Sequence, residues 1–418
     1  MMGRMNGFER WLFAMKETAV QVHSYKRMVL LVVGIFFIAA NLRSSLTSVG
    51  PVLGSIIKDT GMSHTLAGLL STLPLLAFFA FSPLVPRIAA NIGVERTLFC
   101  SLLLLTAGIL MRSYSSIVFL FLGTFLIGMA IAAGNVLLPG LIKRDFPHHV
   151  GVMTGGYSLV QNTFAALGSG LSVPLSQALG FGWQGSLMFW ALLSLAALFV
   201  WLPQLRTTMK NSLSPYQNER KNKLWRSKLA WLVTIFMGFQ SFAFYISITW
   251  LPDVFKDRGV SAEGAGWLVS IMQFVGIPAT FLVPILAERL KTQRMLSVFV
   301  CLIGIIGYAG LLTENRMYMI LWVLFIGISQ GATFGLALTL ISLRAKTAYT
   351  AARLSGMAQS IGYLFAAFGP FLFGLFHDVT GRWLLPILLL VAAMVIQLLS
   401  GLGAGRNAYV LEEKKANS

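Results

Sequence analysis

The sequence predicts an all-α integral membrane protein, with twelve transmembrane helices arranged as two pseudo-symmetric halves of six helices each. Of its 418 residues, 56% are hydrophobic and 11% are charged, whereas about 25% of the residues of a soluble domain are charged. Because a membrane-spanning helix needs about 20 apolar residues, a chain of this length can supply twelve spans and their loops. The placement of basic residues and an internal repeat are two further observations that support this fold class.

Apolar runs between charged residues mark the predicted spans in order along the chain. Residues 204–228 form the only long polar interruption and predict a linker between an N-terminal half, 28–203, and a C-terminal half, 229–402. Residues 1–27 and 403–418 are the two tails. The twelve predicted spans are 28–50, 65–85, 97–111, 117–138, 151–177, 183–203, 229–251, 264–286, 295–312, 317–341, 354–376 and 383–402.

The first tail carries apolar residues at helical spacing, which suggests a short helix on the membrane surface. A disordered tail is an equal alternative. The residues concerned are Phe8, Trp11, Leu12, Met15 and Ala19.

The basic residues orient the chain. Thirty-two Lys and Arg against 14 Asp and Glu give a net charge of +18, which in a soluble protein would suggest nucleic-acid binding. When the spans alternate in direction, 25 of the basic residues lie on the side of the tails and the linker, six lie on the other side, and Arg43 lies within a span. By the positive-inside rule, both tails and the linker are expected in the cytoplasm of a bacterial inner membrane, and no nucleic acid is expected as a partner.

An internal repeat supports two homologous halves. Several special residues recur at an offset of 201 positions, and transporters built from parallel repeats bind solute between their halves near the bilayer midplane. The repeated pairs are Pro51 with Pro252, Pro83 with Pro284, Cys100 with Cys301, Gly155 with Gly356 and Gly168 with Gly369.

Motifs for other chemistry do not stand out in the sequence. Both cysteines lie inside apolar runs, and the five histidines show no metal-ligand spacing. No GxxxxGK[ST] loop or Ser–His–Asp arrangement is present. We therefore predict no metal, no cofactor and no enzymatic activity.

Arg43 is the principal candidate for binding a solute. It is the only ionisable residue between Arg27 and Lys58, and an arginine at the centre of a membrane helix costs roughly 2.5–3.5 kcal/mol on insertion scales. All 14 acidic residues lie in loops, tails or helix ends, so no membrane-depth carboxylate is expected to neutralise it. We expect the Arg43 guanidinium to bind an anionic or strongly dipolar solute; a structural arginine that caps carbonyls is the alternative.

The missing membrane-depth carboxylate also bears on energy coupling, because proton-driven transporters usually carry an acidic or histidine relay within the membrane. We expect solute exchange, facilitated diffusion, or proton symport without such a relay. A proton is therefore one possible co-substrate under this prediction.

Other polar residues at membrane depth complete the predicted site. Helical phase places Arg43 and Thr47 on one face and Asn41 about 200° away. Asn41 is therefore expected to bond to another helix, and a distortion of the phase by the Gly50–Pro51 break is the alternative. Amides and phenols at i, i+3 or i+4 spacing in later spans can orient a polar solute, although polar bridging between helices is the alternative for each. The full predicted binding set is Arg43, Thr47, Asn41, Gln161, Asn162, Gln240, Tyr245, Gln330, Gln359 and Tyr363.

Four sequence strings resemble the major facilitator superfamily and, within it, the bacterial cyanate and nitroimidazole porter family. This resemblance implies a twelve-helix inner-membrane carrier that works by alternating access on a small anionic or polar substrate. It also implies that Arg43, Gln240, Tyr245, Gln359 and Tyr363 occupy the family's polar positions. The strings are ANLRSSLTSVGPVL at 40–53, GNVLLPGLIKRDFP at 134–147, GFQSFAFYISITWLPDVF at 238–255 and LSGMAQSIGYLFAAFGP at 354–370.

The superfamily's loop signature after the second span is only partly present. The string PLVPRIAANIGVER at 83–96 keeps Arg87 and Arg96 but lacks the usual aspartate, whereas Glu288 and Arg289 in the second half are closer to the pattern. These four residues are the predicted gate residues.

The sequence therefore predicts a monomeric secondary active or facilitative transporter of a small anionic or polar solute. An exporter of neutral or aromatic drugs is the first alternative. A non-transporting membrane sensor is the alternative from another class.

Overall fold

The computed structural model describes residues 28–62, 64–114, 116–207, 224–313 and 315–411. Regular secondary structure within these ranges is helical throughout. The helix predicted near residues 8–19, the middle of the linker and the last seven residues of the C-terminal tail lie outside the described residues.

Twelve main helices, labelled α1 to α12, follow one another along the described chain, and the all-α, twelve-span prediction is confirmed. The weakest predicted span, 97–111, is a helix of 19 residues. The first six helices are α1 (28–47), α2 (His64–Phe81), α3 (Val94–Arg112), α4 (Ile117–Asp145), α5 (Val150–Val173) and α6 (Trp190–Trp201). The second six are α7 (Lys228–Asp257), α8 (Ala262–Arg289), α9 (Arg294–Gly310), α10 (Met319–Leu343), α11 (Ala348–Thr380) and α12 (Leu384–Ala404).

Ten of these helices, with their extensions, are long and apolar enough to cross a membrane. An eleventh span forms when the second half of α2 is counted with the short helix Val85–Ile92, which continues it after a bend of 56°. The remaining helix, α5, has 24 residues but is rich in glycine, serine and amide side chains. Its composition suits a helix packed between others rather than one that faces lipid.

Local sequence explains where several helices begin and bend. The side chains of Ser227, Ser261 and Thr347 cap α7, α8 and α11 by accepting a backbone N–H. Gly50 and Pro51 separate α1 from the short helix Leu53–Thr60, because proline lacks the N–H that would continue the hydrogen-bond ladder.

The two halves contact each other through α5 against α8, and through α11 against α2 and α4. Glycines permit these close approaches. A Cβ atom on Gly155 of α5 would collide with the main-chain oxygen of Phe281, and one on Gly356 of α11 would lie 2.7 Å from the oxygen of Ser82. The repeated glycines therefore occupy equivalent places in the contact between the halves.

The other repeated glycine pair is also equivalent. Gly168 packs on Ser44 of α1, and Gly369 packs on Phe242 and Ile246 of α7. Since α1 and α7 are the first helices of the two halves, these contacts follow the pseudo-symmetry that the 201-residue offset predicts.

We call the side of the bundle that holds the α4–α5 loop, the α8–α9 loop and the end of α12 the linker side, and the opposite side the far side. On the linker side, Gly140 of α4 packs against Ala348 and Ala352 of α11. The backbone N–H groups of Val150 and Gly151 bond to Glu288 of α8. The two halves are therefore in contact on the linker side.

Candidate solute-binding site and gate

Arg43 lies where the two halves meet. Its side chain is partly buried, and its Nη1 atom donates a hydrogen bond of 3.1 Å to Oδ1 of Asn162 on α5. The guanidinium carbon lies 4.6 Å from the ring centroid of Phe334 on α10 and 5.2 Å from that of Phe244 on α7. Both ring faces stabilise the cation, so Arg43 is contacted from both halves at once.

Asn162 continues this contact across the bundle. Its amide nitrogen donates to the hydroxyl of Thr280 on α8 at 3.4 Å. Within the described ranges, no carboxylate lies within ion-pair distance of Arg43. Neutral dipoles and aromatic rings therefore surround its charge there, which leaves the guanidinium able to attract an anion.

Thr47 and Asn41 have structural contacts of their own. The Thr47 hydroxyl donates to the main-chain oxygen of Ala165 on α5 at 2.8 Å. The Asn41 amide donates to Phe37 in its own helix at 2.8 Å and to Leu193 on α6 at 3.3 Å. Asn41 thus faces another helix, as helical phase predicts, and the structure does not bring it together with Arg43.

Three amide residues form a second polar group next to Asn162. Nε2 of Gln161 on α5 lies 3.4 Å from Oδ1 of Asn135 on α4, and Nε2 of Gln359 on α11 lies 3.5 Å from the main-chain oxygen of Asn135. Asn135 is absent from the predicted set. It lies four residues before Pro139, and that spacing within the helix is the sequence signal that could have identified it.

Gln240 and Gln330 belong to a buried network inside the C-terminal half. Gln240 donates to Gln330 at 3.4 Å, and Gln330 donates to the Tyr308 hydroxyl at 2.7 Å. Tyr308 lies 2.7 Å from the Ser247 hydroxyl. These contacts join α7, α9 and α10, so in this structure the two glutamines bond to other helices and not to Arg43. Tyr308 is not among the residues predicted from the sequence.

Tyr245 and Tyr363 add aromatic surface near Arg43. Tyr245 on α7 is partly buried, and its ring centroid lies 5.4 Å from that of Phe244, which contacts Arg43. The ring centroids of Tyr363 and Phe78 on α2 are 4.7 Å apart. Tyr363 therefore contacts the other half beside the candidate site.

Glu288 is the one predicted gate residue that joins the two halves in the described structure. Its two carboxylate oxygens accept the backbone N–H groups of Val150 at 2.7 Å and Gly151 at 2.8 Å. A carboxylate at a helix N-terminus is stabilised by the helix dipole. Arg87, Arg96 and Arg289 are exposed, whereas Glu288 is partly buried.

The linker side of the N-terminal half has an ion pair formed by residues other than the four predicted gate residues. Glu95, with a side chain 4% exposed, lies 2.8 Å from Arg144, which also pairs with Asp145 at 2.7 Å. Glu95 directly precedes Arg96, so the loop signature pointed to the right segment but to the neighbouring side chain.

The C-terminal half has a related arrangement in which an amide replaces the acid. Arg344 donates to the Gln293 side chain and to the main-chain oxygen of Arg406. Burial lowers the pKa of Arg344 to about 10, so the side chain remains charged at neutral pH. Arg144 lies in the last turn of α4, and Arg344 directly follows the end of α10.

Sequence comparisons identify relatives along most of the chain. The model of the Major Facilitator Superfamily matches residues 31–370. The chain is 47% identical, over 93% of its length and 96% of the relative, to the uncharacterized transporter YycB of Bacillus subtilis. It is 45% identical, over 93% of its length and 98% of the relative, to the 2-nitroimidazole transporter of Escherichia coli.

A more distant relative and a solved structure agree with this assignment. The chain is 27% identical, over 86% of its length and 94% of the relative, to the cyanate transport protein CynX of Escherichia coli. The proton:xylose symporter XylE, solved with 6-bromo-6-deoxy-D-glucose, has a TM-score of 0.72 at 14% identity, over 90% of this chain and 94% of that chain, and shows the shared fold. Neither the enzyme class nor the sensor alternative has support among these relatives. The chain belongs to the Major Facilitator Superfamily and is a multi-pass membrane transporter.

Proposed function

We propose that the transporter carries a small anionic or polar solute through a site centred on Arg43. The observation that carries this proposal is a guanidinium that lies over two aromatic rings with no described carboxylate beside it. A guanidinium presents paired N–H donors that match two oxygens held in one plane. The rings of Phe244 and Phe334 provide flat apolar walls for the rest of the solute.

The names of two relatives support this proposal. One relative is named for 2-nitroimidazole and another for cyanate. The first solute is a flat, neutral ring whose nitro group has two oxygens, and the second is a small linear anion with one oxygen and one terminal nitrogen. Both can accept hydrogen bonds from a guanidinium.

The proposed orientation places the linker side, both tails and the linker in the cytoplasm of the bacterial cell membrane, with the two halves divided at residues 204–228. Its basis is the excess of basic residues on that side. We propose a monomer that works by alternating access through exchange, facilitated diffusion, or proton symport without a midplane carboxylate.

Export of neutral aromatic solutes is the second candidate function. The two ring faces beside Arg43 favour it, since aromatic stacking does not require a charge on the solute. The two candidates differ in their dependence on the Arg43 charge.

Flux in proteoliposomes separates the two candidates. Purified wild-type, Arg43→Gln and Arg43→Lys chains are compared for transport of cyanate and of 2-nitroimidazole. We expect Arg43→Gln to abolish cyanate flux, and Arg43→Lys to retain part of it because the charge remains. Arg382→Gln removes a positive charge from an exposed residue and serves as the matched control.

Unchanged cyanate flux and affinity in Arg43→Gln would overturn the role of Arg43. Loss of cyanate flux alone, with 2-nitroimidazole flux retained, would show that ring stacking suffices for the neutral solute.

A further inference from the structure

One segment of α11 contacts backbone oxygens of the other half that lack the usual i+4 donor in their own helix. In an α-helix the carbonyl of residue i accepts the N–H of residue i+4. Residue 139 is proline, which has no N–H, so the carbonyl of Asn135 in α4 lacks that donor. The Ser355 hydroxyl donates to this oxygen at 3.1 Å and the Gln359 amide donates at 3.5 Å.

The same arrangement recurs at the end of α2. Pro83 and Pro86 follow Phe79 and Ser82 by four residues each, so these two carbonyls also lack an i+4 donor. The Ser360 hydroxyl donates to the Phe79 oxygen at 2.8 Å. Gly356 lies so close to the Ser82 oxygen that an added Cβ would be 2.7 Å away.

Burial makes these bonds matter. Ser355 is 0% exposed, Gln359 is 1% exposed and Ser360 is 2% exposed. A buried polar group without a partner is costly, so the segment is stable either when fully docked or when fully separated and wetted. An intermediate separation that excludes water would leave both the hydroxyls and the carbonyls without partners.

Asn135 connects this contact to the Arg43 site. Its main chain accepts Ser355 and Gln359, whereas its side chain accepts Gln161. The next residue in α5 is Asn162, which holds Arg43. One residue of α4 thus contacts both the candidate solute site and the opposite half.

We propose that the proline-freed carbonyls of Phe79 and Asn135 form a latch for the α11 segment 355–360. The latch holds the linker side closed, and Asn135 is a positioning residue that couples it to the solute site. The inference rests on the proposed alternating access. When the linker side opens, α11 separates from α2 and α4. Water then donates hydrogen bonds to the freed carbonyls, and neither α2 nor α4 has to rearrange internally.

Hydrogen–deuterium exchange of the full chain in lipid nanodiscs, measured without solute, tests the latch. Each lost hydrogen bond weakens docking by about fivefold. In a Ser355→Ala/Ser360→Ala double variant we expect the linker-side segments 139–151 and 342–352 to exchange at least fivefold faster. Pro139→Ala returns an N–H donor to the Asn135 carbonyl, so we expect a smaller change in the same direction. That variant adds a good helix former and should fold.

Two control variants match these changes. Pro252→Ala alters a proline within α7, and Ser400→Ala removes a buried hydroxyl whose bond stays within α12. We expect both to leave linker-side exchange unchanged. Equal exchange in the double variant and the controls would overturn the latch.

Asn135→Ala tests the coupling, because it keeps the main-chain carbonyl and removes only the contact with Gln161. We expect unchanged exchange without solute, and an apparent KM for cyanate and for 2-nitroimidazole raised about fivefold at an unchanged maximal rate. A fall in maximal rate with KM unchanged, or faster exchange without solute, would overturn the positioning role.

The exchange measurements also separate this inference from the proposed function. If the wild-type chain carries neither probe, the proposed solute class fails, while the exchange data still decide whether the latch exists. If both probes are carried and exchange does not respond to the double variant, the latch alone fails.

Discussion

Arg43 on α1 and Asn162 on α5 are joined by a 3.1 Å hydrogen bond from Nη1 to Oδ1, and Asn162 in turn lies 3.4 Å from Thr280 in the other half. A neutral amide thus orients the membrane-depth guanidinium without neutralising it. The charge of Arg43 remains available at the junction of the halves, which a carboxylate in place of Asn162 would prevent.

The first prediction concerns that amide. Asn162→Asp places a carboxylate at hydrogen-bond distance from Arg43, and the resulting ion pair competes with an anionic solute. We expect the Kd for cyanate, measured by a thermal-shift titration of the purified protein, to rise about tenfold, which corresponds to about 1.4 kcal/mol. Asn162→Gln is the neutral control. Equal cyanate affinity in Asn162→Asp and wild type would contradict the proposed anion site.

The second prediction concerns the packing of α5 against α8. Gly155→Val puts a side chain where Cβ already collides with the Phe281 oxygen, and overpacking typically costs 1–3 kcal/mol. We expect the linker side to open, with labelling of a cysteine introduced at Ala352 increased tenfold or more. Gly170→Val lies in the same helix with nothing within 4 Å of its Cβ and should leave labelling unchanged. Similar labelling in the two variants would show that the α5–α8 contact does not hold the linker side closed.

The third prediction concerns Glu288, whose carboxylate bonds to the first N–H groups of α5. Glu288→Gln keeps the shape of the side chain but removes the charge that interacts with the helix dipole and with two N–H groups. We expect linker-side contact to weaken by about 1–2 kcal/mol, seen as faster labelling at Ala352→Cys. Asp253→Asn, at a half-exposed acid on the far side, is the control. Slower labelling in Glu288→Gln would be incompatible with the bond acting across the halves.

The fourth prediction concerns stability and the asymmetry of one ion pair. Arg144→Gln leaves the buried Glu95 carboxylate without its cation, which typically costs about 3–5 kcal/mol. Glu95→Gln leaves Arg144 still paired with Asp145, so we expect a smaller loss of about 1–2 kcal/mol. Thermal unfolding in detergent should give a lower Tm for Arg144→Gln than for Glu95→Gln. A Tm for Glu95→Gln equal to or lower than that for Arg144→Gln would contradict the argument that the unpaired, buried Glu95 carboxylate is the costly group.

The sequence by itself determined the class of fold. The interactions that stabilise a membrane helix most, its backbone hydrogen bonds and the contact of its side chains with lipid, come from residues close together in the sequence. Each span must satisfy its own backbone and present about 20 apolar residues, so the twelve helices could be read from runs of residues. The sequence also predicted that Arg43 faces the interior of the bundle, because a single charge in an apolar helix is too costly to expose to lipid. Helical phase also separated Arg43 from Asn41.

Only the tertiary structure decided which polar residues meet. Gln161 and Gln359 lie 198 positions apart, yet both contact Asn135, whereas Gln240 and Gln330 close a network inside one half. The buried partner of Arg144 is Glu95, next to the predicted Arg96. Such contacts depend on the rotation of each helix about its axis and on the approach of one half to the other. Periodicity along a single helix does not specify either quantity, because both are set by side-chain packing between helices.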